Sequence, residues 1–200
     1  MTARLVVLAS SNGTNLQAII DACESKQIDA QVVGVVSDKH EAFALNRAQC
    51  HNVDTAVVAA KPHETRPQYD ARIAQIVGAW QPHIIVLAGF MRVLSNSFLS
   101  LFPNQIINIH PALPGELPGT RAIERAFTEF TQGTRRETGV MVHFVPDEGV
   151  DNGPVIAQQV VPIHLADTLV TLEARMHATE HVLVINALQQ LITQQKAPAS

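Results

Sequence analysis

The chain has 200 residues, and its 14 lysines and arginines against 18 aspartates and glutamates give a formal net charge of −4. A hydrophobic fraction of 46% excludes general disorder, and the absence of a basic excess argues against a nucleic-acid-binding domain. No apolar run approaches the roughly 20 residues that cross a bilayer, and the two cysteines do not form a CxxC pair. We therefore expect one globular domain over residues 1–195, in the cytoplasm and without a membrane or nucleic-acid partner, followed by a flexible tail over residues 196–200.

The first half of the chain alternates short apolar runs with segments of helical periodicity. Predicted strands cover residues 4–10, 31–37, 54–58, 84–88 and 106–110, and predicted helices cover 15–24, 42–50, 69–80 and a short stretch capped near Ser95. Strands that are apolar throughout are typical of burial on both faces of a sheet. Strand and helix in alternation then predict a parallel, doubly wound sheet, in which ligands bind at the carboxyl ends of the strands.

The second half differs in character. Residues 111–119 contain three prolines and two glycines and are therefore predicted to form a loop. The further predicted elements are a helix over 122–130, strands over 139–145 and 155–161 joined by a hairpin or lid loop over 147–153, and a closing helix over 168–194. The fold we expect is α/β: a doubly wound, mostly parallel sheet with a Rossmann-like amino-terminal half and an antiparallel β addition in the carboxyl-terminal half.

A turn after the first strand is the first candidate site. Residues 10–15, Ser-Ser-Asn-Gly-Thr-Asn, open a helix, where free backbone N–H groups and the helix dipole favour an anion. The single glycine excludes GxGxxG, and no GK[ST] ending is present, so a small phosphate monoester suits this turn better than a dinucleotide. A plain turn with Asn12 or Thr14 as the N-cap explains the same residues equally well.

Asn108 and His110 lie two residues apart at the end of a strand, so their side chains are expected on the same face. An amide donor beside an imidazole suits oxyanion stabilisation and proton transfer. Asp151, in the sequence Gly-Val-Asp-Asn-Gly-Pro, would favour a protonated His110 if it lay within about 4–6 Å. The alternatives are a histidine satisfied by backbone carbonyls and an ordinary Asp-Asn-Gly surface turn.

Glu180 occupies an apolar stripe of the last helix, four residues after Met176 and three before Leu183. A carboxylate on a core-facing stripe must be paired or face a ligand, and an ion pair with an arginine is the structural alternative. His177 and His181 are spaced i, i+4, but they do not belong to an HExxH motif, so we predict no metal site.

Two further segments leave a choice between core and cleft. His143 lies on an apolar strand and is either a hydrogen-bonded core residue or part of a cleft wall. Gly89 permits close approach of a ligand to the backbone. The apolar side chains after it suit either a flat aromatic ligand or the core; they are Phe90, Met91, Val93 and Leu94.

Four motifs occur in order along the chain: Ser-Asn-Gly-Thr-Asn at 11–15, Leu-Ala-Gly-Phe-Met-Arg at 87–92, Asn-Ile-His-Pro at 108–111 and Val-Asp-Asn-Gly-Pro at 150–154. Through them nearly the whole chain resembles the phosphoribosylglycinamide formyltransferases, folate-dependent enzymes of purine synthesis within the formyltetrahydrofolate-dependent formyltransferase family. The resemblance implies transfer of a formyl group from the co-substrate 10-formyltetrahydrofolate to the amine of 5-phosphoribosylglycinamide. It implies small-molecule substrates and no metal.

The resemblance also implies roles for individual residues. Asn108, His110 and Asp151 would be catalytic, with a protonated His110 as general acid and with Asp151 raising the pKa of that imidazole. The residues implied for the phosphate and ribonucleotide are Gly13, Thr14, Asn15, His177 and Glu180. The residues implied for the folate are Arg66, Met91, Arg92, Val93, Leu94, Asn108, Asp147, Glu148, Gly149, Val150 and Asp151.

The chain departs from the family pattern at Ser11, where glycine is usual, and at Met141, where serine or threonine is common. A methionyl-tRNA formyltransferase and a formyltetrahydrofolate hydrolase are alternatives that share the catalytic residues, but the phosphate turn favours the ribonucleotide enzyme. Outside this class, the alternative is a phosphosugar or folate binder without turnover, against which the intact Asn108, His110 and Asp151 argue. A homodimer stays open, because the apolar faces of the early helices suit an interface and a core alike.

Overall fold

A computed structural model of the chain describes residues 2–196 as strands and helices that follow each other in near-regular alternation. The strands are β1 (Ala3–Leu8), β2 (Ala30–Ser37), β3 (Thr55–Val57), β4 (Ile84–Leu87), β5 (Ile106–His110), β6 (Glu137–Phe144) and β7 (Val155–Pro162). The helices are α1 (Thr14–Glu24), α2 (Phe43–Cys50), α3 (Arg66–Ala79), α4 (Asn96–Leu99), α5 (Ala122–Thr131) and α6 (Leu169–Lys196).

The seven strands form one sheet in the order β3-β2-β1-β4-β5-β6-β7. Strands β1 to β5 are parallel to one another, whereas β6 runs antiparallel to β5 and β7 runs antiparallel to β6. This arrangement confirms the predicted α/β fold and its antiparallel addition. The strand order reverses between β1 and β4, and in such sheets the carboxyl ends of the strands at this point form a crevice.

Two apolar layers cover the sheet. One layer packs α1, α2, α5 and α6 on a face that includes Leu5 and Val7, and the other packs α3 and α4 on a face that includes Val6 and Leu8. Successive residues of β1 therefore point to opposite layers, as the period of two in a strand requires. Because both faces are covered, the central strands are apolar throughout, which is the pattern seen in the sequence.

Helix α3 begins at Arg66, three residues before the predicted start. Thr65 and Gln68 form a capping box, in which each side chain bonds to the other's backbone N–H, and Pro67 lies in the first turn. Proline is tolerated there because the first N–H groups of a helix have no partner within it. The first turn of this helix is polar and shows no apolar periodicity. A prediction from periodicity alone therefore starts the helix too late.

Helix α6 ends at Lys196, so this residue is helical rather than part of the predicted tail. Residues 197–200 of that tail lie outside the described residues. Within residues 2–196, no helix is both long and apolar enough to span a bilayer.

Candidate active site

A cleft of about 480 Å³ opens where the carboxyl ends of β1 and β4 meet β5, and most of the predicted site residues line it. These residues are Gly13, Thr14, Asn15, Met91, Arg92, Val93, Leu94, Asn108, His110, Asp147, Gly149, Val150, Asp151, His177 and Glu180. Two predicted folate residues, Arg66 and Glu148, do not line the cleft. The structure also adds His143 to the lining, together with Thr120 and Arg121 of the segment before α5.

The turn at the end of β1 depends on Gly13. This residue has φ 73° and is the N-cap of α1, so neither Asn12 nor Thr14 is the cap. A Cβ at position 13 would lie 2.7 Å from the Cβ of Ala44 in α2, so only glycine fits this conformation and this contact. Ser11 does not have a positive φ, which explains why a side chain is accommodated where a glycine is usual.

Helix α2 holds the carbonyl groups of this turn. The N–H of Ala44 donates to the carbonyl oxygen of Ser11 at 3.1 Å, and Nε of Arg47 donates to that of Asn12 at 2.8 Å. In a trans peptide the C=O and the following N–H point in opposite directions, so the N–H groups of Asn12 and Gly13 are directed away from α2. Together with the unpaired N–H groups at the start of α1, they form an electropositive backbone site for an anion.

Asp151 joins the groups at the other end of the cleft. Its Oδ1 accepts a hydrogen bond from Nδ2 of Asn108 at 3.0 Å, and its Oδ2 accepts one from the N–H of Gly119 at 2.8 Å. The same Oδ2 lies 3.1 Å from Nδ1 of His110. Asp151 itself has φ 54°, a left-handed conformation that non-glycine residues adopt mainly where the surroundings hold them. The structure thus brings Asn108, His110 and Asp151 together.

His143 completes this cluster. It pairs with Asn108 across β5 and β6, is 2% exposed, and places Nε2 3.2 Å from the Asn108 amide nitrogen. Nδ1 faces the carbonyl oxygen of Phe144 at 2.8 Å and is therefore a donor. Nε2 lies 3.7 Å from Oδ1 of Asp151, so the Asn108 amide nitrogen is flanked by His143 and Asp151. His143 therefore fits both predicted alternatives, because it is a buried, hydrogen-bonded residue that also lines the cleft.

Two opposing effects act on His110. Burial lowers the pKa of this imidazole below its ordinary 6.5, although the carboxylate of Asp151 and the carbonyl of Leu117 act in the opposite direction. Asp151 thus acts on the pKa of His110 in the expected direction, but burial outweighs its contribution and the net pKa is lowered. Yet both ring nitrogens face acceptors, Asp151 Oδ2 at 3.1 Å and Leu117 O at 3.1 Å, and only an imidazolium can donate to both.

Burial also raises the pKa of the Asp151 carboxyl, but hydrogen bonding to His143 and to the N–H of Gly119 outweighs this effect and leaves the pKa below its ordinary 3.8. Asp151 is therefore a carboxylate at neutral pH, and it faces His110 as a stable negative charge.

Glu180 is buried on α6 at the end of the cleft next to the turn that follows β1. Its carboxylate accepts a hydrogen bond from Nδ2 of Asn15 at 3.0 Å and lies 3.1 Å from Nδ1 of His177. These partners are an amide and an imidazole rather than the arginine of the structural alternative. The contact with Glu180 raises the pKa of His177. Oδ1 of Asn15 is buried without a hydrogen-bond partner, which is uncommon in a folded protein and typical of a place where a ligand donates.

The remaining wall is apolar. Met91, Val93 and Val150 line the cleft although their exposed fractions are 58%, 44% and 45%. Arg92 stacks over the ring of Tyr69 with its guanidinium carbon 4.2 Å from the ring centroid. Apolar side chains that face an open cleft, with a cation beside them, suit a flat, partly charged ligand.

Arg66 and Glu148 bind each other instead of facing the cleft. The guanidinium of Arg66 contacts the Glu148 carboxylate, whose other oxygen accepts from the N–H of Asn96 at 2.9 Å. This pair ties the loop that carries Asp151 to the starts of α3 and α4. Within residues 2–196, no group of three or more His, Cys, Asp or Glu side chains is placed to hold a metal ion.

Comparison with known proteins assigns the family. Residues 3–188 match the sequence profile of a family described as formyl transferase. A protein of Dictyostelium discoideum named phosphoribosylglycinamide formyltransferase is 41% identical over 206 residues, which cover 96% of this chain and 100% of that protein. The chain belongs to the phosphoribosylglycinamide formyltransferase family and is a formyl transferase. The resemblance inferred from the four sequence motifs is thereby confirmed.

Further members of the family agree in sequence and in structure. The protein of that name from Escherichia coli strain K12 is 40% identical over 179 residues, which cover 90% of this chain and 82% of that protein. The crystal structure of phosphoribosylglycinamide formyltransferase from Bacillus halodurans matches with a TM-score of 0.90 and 34% identity, and covers 96% of this chain and 97% of that one. Glycinamide ribonucleotide transformylase 1 from Symbiobacterium toebii matches with a TM-score of 0.90 and 35% identity, and covers 100% and 92%.

Proposed function

We propose that this formyl transferase moves a formyl group from 10-formyltetrahydrofolate to the amine of 5-phosphoribosylglycinamide, a step of purine synthesis. The names of its relatives support the acceptor. One observation on this chain carries the proposal: an anion-binding turn and the Asn108–His110–Asp151 cluster open into the same cleft. We further expect an enzyme that acts on small molecules in the cytoplasm.

The phosphate of the acceptor is assigned to the turn at the end of β1. Backbone N–H groups of Asn12, Gly13 and the first turn of α1 would bind its oxygens, and the helix dipole favours the negative charge. The site contains no lysine or arginine in the turn itself, so the backbone supplies most of the binding. A monoester dianion fits such a compact site.

The ribose or glycinamide part is assigned to Asn15, His177 and Glu180. The Glu180 carboxylate and the unpartnered Oδ1 of Asn15 are acceptors, so they suit hydroxyl or amine donors of the ligand. A ligand donor at Oδ1 of Asn15 would supply the hydrogen bond that this buried oxygen lacks. These contacts would hold the amine toward the catalytic cluster.

The folate is assigned to the apolar wall. Met91, Val93 and Val150 would contact a flat ring system, and Arg92 is close enough to the same wall to meet a carboxylate of the co-substrate. Leu94 lines the same wall and is 3% exposed. Asp147, Glu148 and Gly149 belong to the loop that would cover the ligand, and Arg66 contributes through its contact with Glu148.

The chemical step requires charge stabilisation at two atoms. When the amine attacks, a C–N bond forms and the electron pair of the formyl C=O moves to oxygen. Asn108 would donate a hydrogen bond to this oxyanion. To do so, its amide group would give up its contact with His143 or Asp151 and bond to the substrate oxygen instead. A well-placed donor of this kind accelerates such a step about 10²–10³-fold.

The proton path runs through His110. Its lowered pKa leaves the resting imidazole neutral, so it can accept the proton that the attacking nitrogen loses. The imidazolium that forms finds two acceptors in place, Asp151 and the carbonyl of Leu117. His110 then acts as the general acid: it donates the proton to the folate nitrogen as the C–N bond to that nitrogen breaks.

The test is a direct assay. Purified protein is incubated with 10-formyltetrahydrofolate, with and without 5-phosphoribosylglycinamide, and the deformylated folate is followed by absorbance. We expect product only when both substrates are present and almost none with His110→Asn. Product without the ribonucleotide would indicate a hydrolase, and binding of both ligands without product would indicate an inert binder; either result contradicts the proposal.

A further inference from the structure

Arg125 on α5 contacts the loop that follows β5. Its Nη2 donates to two consecutive carbonyl oxygens, those of Leu117 at 2.6 Å and Pro118 at 2.7 Å. Both carbonyls lie in the irregular segment between β5 and α5, which has no ladder of its own to hold its peptide groups. One guanidinium therefore sets the orientation of two successive peptide groups.

Each of these peptide groups also touches the catalytic cluster. The carbonyl oxygen of Leu117 lies 3.1 Å from Nε2 of His110. The peptide that carries the Pro118 carbonyl continues into the N–H of Gly119, which donates to Oδ2 of Asp151 at 2.8 Å. Since a trans peptide is planar, holding the Pro118 carbonyl on one side directs this N–H to the other.

We propose that Arg125 is a positioning residue, which holds His110 and Asp151 in their catalytic arrangement through the peptide groups of Leu117 and Pro118. The inference rests on the proposed function, because it assumes that His110 and Asp151 carry out the proton transfers. Arg125 itself is not among the residues that line the cleft, so its hydrogen bonds reach the site through these peptides. A displacement of about 1 Å at a reacting group can lower the rate about 10²-fold.

A purely structural role fits the contacts less well. Nε of Arg125 is buried without a hydrogen-bond partner, so the guanidinium is incompletely satisfied where it lies. The residue as a whole is only half-buried, and both hydrogen bonds of its Nη2 go to carbonyl groups of the loop after β5. An arginine in this position is therefore better explained by what its Nη2 holds in place.

The charge of Arg125 gives a second readout. The charged or titratable groups that act on His110 are Asp151 from the loop after β6, His143 from β6 and Arg125 from α5. Burial contributes most to the lowered pKa of His110, and the positive charge of Arg125 adds to that lowering. Removing this charge raises the pKa, so the limb of the pH–rate profile that His110 governs moves to higher pH.

The experiment compares Arg125→Met with Arg125→Lys. We expect Arg125→Met to lower kcat about 10- to 100-fold, to leave both KM values within about threefold, and to move the His110 limb to higher pH. Because one nitrogen makes both contacts, lysine keeps the charge and a suitable donor; Arg125→Lys should recover part of kcat and leave the limb in place. Arg135→Met is the matched control, since Arg135 binds Glu116 of the same loop, at 2.6 Å, without contacting His110 or Asp151.

The outcomes separate this inference from the proposed function. If His110→Asn abolishes turnover but Arg125→Met keeps kcat within twofold of the parent, only the role of Arg125 is wrong. If His110→Asn turns over normally, the proposed role of His110 in proton transfer is wrong, and the inference about Arg125 loses its basis. If thermal unfolding finds Arg125→Met unfolded, Arg125→Gln replaces it, and an unchanged kcat together with an unmoved limb in that variant overturns the inference.

Discussion

The two ends of the cleft are built in different ways. At the phosphate end, α2 holds the carbonyls of Ser11 and Asn12, so backbone N–H groups form the binding surface. At the end proposed to be catalytic, the side chains of Asn108 and His110 each lie within hydrogen-bond distance of Asp151. The backbone N–H groups of the turn do not titrate, whereas the side-chain site contains a histidine whose pKa is lowered by burial.

The two kinds of site respond to different changes in the protein. An anion site of fixed dipoles changes only when the local backbone changes, so it depends on glycine and on the helix behind it. A proton-transfer site depends on charge and on the distance between groups. Substitutions at the first end should therefore act on the KM for the ribonucleotide, and substitutions at the second end should act on kcat.

Asp151→Asn should give the largest effect. We expect kcat to fall about 10³-fold, within the range seen when the orienting carboxylate of a catalytic histidine is neutralised, while the KM for the ribonucleotide changes little. Steady-state kinetics with the ribonucleotide varied measures both values. Asp54→Asn, at an exposed position, is the control. An equal loss in kcat and in binding would contradict a proton-handling role for Asp151.

Gly13→Ala tests the phosphate end. The new Cβ would meet the Cβ of Ala44 at 2.7 Å and would sit at φ 73°, so the turn must shift and its N–H groups lose their alignment. We expect the KM for the ribonucleotide to rise about 10- to 100-fold with a smaller change in kcat. Gly133→Ala is a matched control, because Gly133 has φ 78° but no atom within 4 Å of the added Cβ. A similar rise in KM in this control would show that strain in general, and not the phosphate site, explains the effect.

Glu180→Ala tests whether Glu180 contributes to binding of the ribonucleotide or to the chemical step. Removing the carboxylate releases Asn15 and His177, and we expect the KM for the ribonucleotide to rise about 10-fold while kcat stays within about threefold. Glu137→Ala, at an exposed position on β6, is the control. Unchanged kinetics together with a shifted melting temperature would assign Glu180 to stability instead of ligand binding.

The smallest effect concerns pH and the pair of His177 and Glu180. The contact with Glu180 raises the folded-state pKa of His177 above its unfolded value, so the stability it contributes is fully present below about pH 6.5 and is lost as the pH rises through the folded pKa. We expect His177→Gln to lower the free energy of unfolding by less than about 1 kcal/mol at about pH 5.5, because the imidazole is half exposed. The difference should vanish at about pH 8.5. Urea unfolding at the two pH values measures it, and a difference that grows with pH would contradict this assignment.

Much of the fold followed from local sequence signals. Apolar runs located the strands within a few residues, and β5 was predicted with the bounds it has, because Ile106 to His110 is followed at once by a proline. The placement of Asn108 and His110 on one face followed from the period of two in a strand. These properties depend on neighbours along the chain, so one sequence suffices to predict them.

The rest depends on packing between distant segments. The register that puts His143 against Asn108 and the contact between Arg66 and Glu148 join residues 35 and 82 positions apart. The lowered pKa of His110 results from burial by several elements. The presence of Asp151 in the sequence therefore could not predict the net direction of the shift. Separation along the chain, and not lack of pattern, is what hid these features.

The carboxylate of the catalytic cluster arrives on a connecting loop, whereas the amide and the imidazole stand on a fixed strand. Under the proposed function, a molecule is competent only while Asp151 of this loop contacts Asn108 and His110, and the turnover number of a population scales with the fraction of molecules in which it does. A change that loosens this contact slows the ensemble without altering the barrier in any competent molecule. Sequence variation between β6 and β7 thus offers the enzyme a means of tuning throughput that leaves its chemistry intact.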